Sequence, residues 1–193
     1  MLLALAVLVT AQAAPARDER AAARYRVLSI TSSATLSFSS RSTDSRVSGQ
    51  AQVTTRGGAG ATGSISARGG SITAALSAKR TEQATLAERA GPASPYVEQR
   101  CRDSKAFRSR GGLVFRARPR GKLEARWALP HAAMQGCPGP STRGPVTRMI
   151  RIFPASRLGA AQLSITLSGS ARFKSGRYTG THRWRAVVRL VRL

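Results

Sequence analysis

The chain holds no asparagine, four lysines (Lys79, Lys105, Lys122 and Lys174), two cysteines and only eight acidic residues in 193. Each scarcity excludes something. Two cysteines cannot complete a zinc site, and neither His131 nor His182 stands at ligand spacing from them. No metal site and no cofactor are therefore expected. Cys101 and Cys137 are not a C-x-x-C pair, so a structural disulfide is expected rather than a redox couple. The acids are Asp18, Glu19, Asp44, Glu82, Glu88, Glu98, Asp103 and Glu124. None is spaced from another acid or from a histidine in a recognisable acid–base pattern. No G-x-S-x-G, H-E-x-x-H or Walker motif occurs, so no catalytic residue is expected. Aromatic residues make up 5% of the chain, too few to stack bases along a polar face, so nucleic acid is not expected as a specific target. No apolar run approaches the roughly 20 residues of a membrane-spanning helix. A porin-like barrel is disfavoured by the lack of aromatic girdles.

The longest apolar run, Leu2 to Val9, is followed by the small residues Ala11-Gln12-Ala13-Ala14-Pro15-Ala16. This pattern resembles a secretory signal peptide over residues 1–16, with an A-x-A-like cleavage site. A short tether, 17–24, and a single β-domain, 25–193, are expected to follow. Export places the chain in an oxidising compartment, secreted or at the cell envelope, which agrees with paired cysteines.

The net charge is +24, and 28 of the 32 basic residues are arginine. Arginine over lysine, with asparagine absent, fits the codons of a GC-rich bacterial genome. That bias does not explain the shortage of acids, since Asp and Glu have GC-compatible codons. The basic excess implies attraction to polyanions: a wall polymer, an acidic polysaccharide or an acidic protein.

The periodicity is two. Leu163, Ile165, Leu167, Gly169, Ala171 and Phe173 alternate with polar residues, as do Ile72 to Ala78, Leu123 to Leu129 and His182 to Leu190. Shorter candidate strands are Tyr25–Thr31, Thr35–Ser39, Gly49–Thr55, Ser64–Arg68, Tyr96–Cys101, Leu113–Arg118 and Val146–Phe153. The pattern predicts an all-β, antiparallel, hairpin-connected sandwich, with a closed β-barrel as the alternative. Only Thr81–Arg89 admits a helix. Gly91–Pro95 and Pro130–Pro145 read as loops.

Three turns set registers. A Gly69-Gly70 loop would pair Ala67 with Ile72. Pro119-Arg120-Gly121 would pair Phe115 with Ala125, Leu113 with Trp127 and Arg116 with Glu124. A type II′ turn at Gly176-Arg177 would pair Gly169 with Trp184, Ile165 with Val188 and Leu163 with Leu190. The Arg-Gly-Gly tripeptides at 56, 68 and 110 read as turns rather than RNA-binding boxes.

These registers put Arg172, Arg183, Arg185 and Arg189 on the polar face of the last hairpin. Arg116, Arg118, Lys122 and Arg126 share the polar face of the Leu113–Leu129 hairpin. Guanidinium groups on such a face can fork onto phosphate or carboxylate, so the seven arginines are the candidate anion-binding residues. The expected function is non-catalytic binding of anionic polymers or acidic partners. Two other readings are a barrel carrying a small apolar ligand and a hydrolase using His182.

Overall fold

The computed structural model describes residues 22–128, 134–140 and 148–193. These form nine strands: β1 (Ala23–Arg41), β2 (Ser45–Gly57), β3 (Thr62–Ser66), β4 (Gly69–Glu88), β5 (Val97–Arg118), β6 (Lys122–Ala128), β7 (Arg148–Pro154), β8 (Gln162–Ser175) and β9 (Tyr178–Arg192). A single 3-10 turn, Ala155–Gly159, joins β7 to β8. All ladders are antiparallel and belong to one sheet, in the order β7-β6-β5-β4-β2-β1-β9-β8. β3 fills the slot between β1 and β4 beyond the end of β2.

The sheet curls so that its two ends share a core. Trp127, Met149 and Phe153 from β6 and β7 pack in one buried cluster with Leu163, Ile165 and Leu190 from β8 and β9. β7 and β8 approach within 8 Å, but no ladder joins them among the described residues, so the described strands do not close into a barrel. The core expected between two sandwich layers thus lies within one bent sheet. A second buried cluster, around Leu36, Phe38, Val47, Ala51 and Val53, fills the other half of the long strands. Residues 134–140 cover it, with Met134 and Cys137 buried against the sheet.

Two of the three predicted registers are observed. Leu113 opposes Trp127, Phe115 opposes Ala125 and Arg116 opposes Glu124. Gly169 opposes Trp184, Ile165 opposes Val188 and Leu163 opposes Leu190. A Cβ on Gly169 would lie 2.5 Å from the Trp184 ring, so the missing side chain makes room for the indole. At the turn, Gly176 has φ +56, the left-handed first position that a type II′ loop requires.

The third register is different. The two-residue loop is Ala67-Arg68, with Ser66 opposite Gly69 and Ile65 opposite Gly70. Ile65 and Ile72 keep their inward faces, because moving the turn by two residues shifts the pairing by an even number and preserves a period of two. Gly70 belongs in the ladder, where a side chain would strike the Ser64 carbonyl.

Other expectations also change. Thr81–Arg89 is not helical; β4 runs as strand to Glu88, paired by β2 on one side and β5 on the other. Tyr25–Thr31 and Thr35–Ser39 are parts of one 19-residue strand, which starts at Ala23. Between Val27 and Ser29 the register with β9 slips, and Leu28 stands out to solvent. The inward positions pass from Tyr25 and Val27 to Ile30, Ala34 and Leu36, which breaks the apparent period. Of the Arg-Gly-Gly tripeptides, the one at 110 is not a turn. It lies inside β5, where a Cβ on Gly111 would enter the Trp127 ring.

Candidate polyanion-binding face

The disulfide is present, with Cys101 and Cys137 Cα atoms 5.6 Å apart. It ties residues 134–140 to the inner side of β5, and a buried ionic cluster fastens the same segment. Arg80 and Glu82 occupy inward positions of β4, continuing the row Ile72, Ala74, Leu76, Ala78. Arg80 Nε lies 2.7 Å from Glu82 Oε1, and its guanidinium also reaches Gln135 Oε1 and Asp103. The Glu82 carboxylate accepts backbone N–H groups from Gln135, Gly136 and Cys137 at 3.0–3.2 Å. These bonds satisfy a carboxylate that would otherwise be costly to bury. Its role is to hold a loop.

The outer face is chemically the opposite. Arg172, Arg183, Arg185 and Arg189 are all exposed, as the alternation implied, and none is ion-paired among the described residues. Their ladder partners are small. Arg183 lies between Ser170 of β8 and Thr35 of β1, and Arg185 between Ser168 and Ser33. From β8 across to β4 the outward positions carry no Asp or Glu; they are mostly Ser, Thr, Gln and Arg.

The second set of candidates divides. Arg116 is exposed, whereas Arg118 and Arg126 both clasp the Oε atoms of Glu124. Glu124 is buried between them, 1% exposed, so this trio carries a net charge of only one. The hydrogen bond from Arg126, aided by Arg118, holds its carboxyl below the ordinary value of 4.5; burial acts the other way and is outweighed. The register predicted Arg116 opposite Glu124, but the ionic contacts run diagonally along the sheet to 118 and to the next outward position on β6 itself.

A basic row that sequence reading passed over lies on β5. Arg100, Arg102, Arg108 and Arg110 are exposed on its outer side. The signal was present as an alternation with Cys101, Asp103, Phe107 and Ser109, but that inner row is too polar to read as a buried face. β6 pairs with β5 only from Leu113 to Arg118. Residues 97–112, paired with β4 on one side, therefore leave their other edge without a strand partner among the described residues, and charged side chains there also discourage edge-to-edge association.

His182 is fully buried on the inner face, its ring 5.5 Å from that of Trp184. His131 lies outside the described residues. Among the described residues no group of three or more His, Cys, Asp or Glu could hold a metal, and no helix is long and apolar enough to cross a membrane. No protein-family model, curated protein or solved structure matches this chain significantly.

Proposed function

We propose that this protein binds anionic polymers without catalysis, outside the cytoplasm, at or near the cell surface. One observation carries the reading: Arg172, Arg183, Arg185 and Arg189 stand on an acid-free outer face with serine and threonine neighbours and, among the described residues, no ionic partner. Outward residues along a strand repeat at about 7 Å, a spacing suited to successive charges on an extended polyanion. The β5 arginines add a second row, separated from β9 by three strands, β4, β2 and β1, in the sheet order. The disulfide supports an oxidising compartment. Against the apolar-ligand reading, the interior is filled by Trp127, Tyr25, Ile30, Leu113 and Leu190.

The test is the double variant Arg183→Glu with Arg185→Glu, assayed on heparin or an anionic wall polymer over a salt series. Binding of the parent should weaken steeply with salt, because each neutralised charge releases a counterion. The variant should lose at least about tenfold in affinity and show a shallower salt dependence, with its melting temperature unchanged. Parental binding by the variant would leave the face merely solvated and the proposal wrong.

A further inference from the structure

Three hollows on the outer face join into one groove. A cleft of about 640 Å³ lies where β1 turns into β2, with Ser48 and Thr85 in its wall. A second, of about 310 Å³, shares those two residues and adds Gln83 and Arg102. A third, of about 190 Å³, continues from Gln83 to Gln50 and Gln52. Val47, Ala51 and Val53 point into the core, so the intervening β2 side chains point into the groove. From Arg46 to Gln52 the groove runs about 20 Å at ordinary strand spacing.

Its two ends differ in chemistry. The narrow end is lined by amides and hydroxyls, with Gln50 directly opposite Gln83 and Ser48 opposite Thr85. The wide end is cationic, with Arg46 and Arg177 in its wall. Arg46 is held in place: its guanidinium carbon lies 4.4 Å from the centroid of the Tyr96 ring. Tyr96 is itself fixed, because its hydroxyl donates to the Thr43 carbonyl at 3.2 Å. Two carboxylates belong to the lining: Glu98 at the wide end, 4.0 Å from Arg100, and Glu82 beneath the narrow end, whose buried side chain is paired with Arg80 on the core side.

We infer that this groove takes a single chain of an acidic polysaccharide, an assignment that rests on the polyanion reading above and narrows it. A bare polyphosphate requires only cations. Paired glutamines and hydroxyls offer donors and acceptors together, which suits sugar hydroxyls. The arginines at the wide end suit the carboxylate or sulfate groups of the same chain. A nucleic acid would need exposed rings for its bases, and among the described residues lining these hollows the one ring, Tyr96, carries Arg46 over it.

Titration calorimetry of the full chain at one fixed salt concentration tests this. The probes are an oligogalacturonate, an inorganic polyphosphate and a single-stranded DNA of matched charge. The parent should bind the oligogalacturonate more tightly than the other two. Gln50→Ala with Gln83→Ala should weaken oligogalacturonate binding about tenfold, the worth of two modest hydrogen bonds, and leave polyphosphate binding unchanged. Arg46→Gln should weaken it too. Melting curves of each variant, expected to match the parent because both glutamines face outward, separate lost binding from lost folding. If the parent binds none of the probes, the polyanion reading itself falls. If the parent binds all three alike, or prefers DNA, or if the glutamine variant matches the parent on the oligogalacturonate, only the groove assignment falls.

Discussion

Glu124 shows how a single residue changes the meaning of its neighbours. Read along the chain, Arg116, Arg118, Lys122 and Arg126 are a basic patch. Folded, two of them serve a carboxylate that is buried between them. Its folded carboxyl titrates below its ordinary value. The ion pairs therefore contribute fully above about pH 4.5 and are lost as pH falls through the folded value. Glu124→Gln should lower the melting temperature at neutral pH by about 3 °C, the equivalent of roughly one hydrogen bond in a chain this size. The gap between variant and parent should close under acid. A gap that persists unchanged at pH 3, in melting curves followed by circular dichroism, would show that charge is not what Glu124 supplies.

At the scale of the element, the β8–β9 hairpin is the best-determined piece. A slip of one residue would put Trp184, Val188 and Leu190 in water and Arg185 in the core. The glycine opposite the indole adds a steric key to that register. Trp184 is only partly buried, at the junction of the two apolar clusters. Trp184→Ala should therefore cost about 3 kcal/mol, the low end for an aromatic deletion. Urea denaturation measures this, and an unchanged midpoint would mean that the indole packs on nothing that matters. β4 is the contrasting element. Its second half reads as an ambiguous polar segment because Arg80 and Glu82 occupy core positions, and only the loop bearing Gln135, Gly136 and Cys137 makes those positions tolerable.

At the scale of the whole molecule, a sheet that curls without closing needs something to cover its second apolar cluster. Residues 134–140 do this, held by Glu82 from below and by Cys137 at the side. The bridge closes a separation of 36 residues. Its reduction should cost about 3–4 kcal/mol by restoring freedom to the unfolded chain. Denaturant titration of oxidised protein against reduced and alkylated protein checks this. Equal stabilities would leave the loop held by the Glu82 cluster alone.

Local chemistry was enough to determine the all-β character and most of the strands, two hairpin registers, the disulfide and the outward arginines of β8 and β9. Period-two alternation, turn glycines and paired cysteines act over a few residues or through a covalent bond. Tertiary structure alone decided the rest. That the sheet bends over one shared core without closing depends on how distant strands meet. Buried Arg80 and Glu82 depend on a loop more than fifty residues away. The β5 arginines become a surface row only because β4 pairs with that strand along its whole length while β6 stops at Leu113. The groove exists only because β2, β4 and β5, far apart in sequence, lie side by side. Such long-range pairings carry no local signature, since any polar strand can be neighbour to any other until the core selects one arrangement.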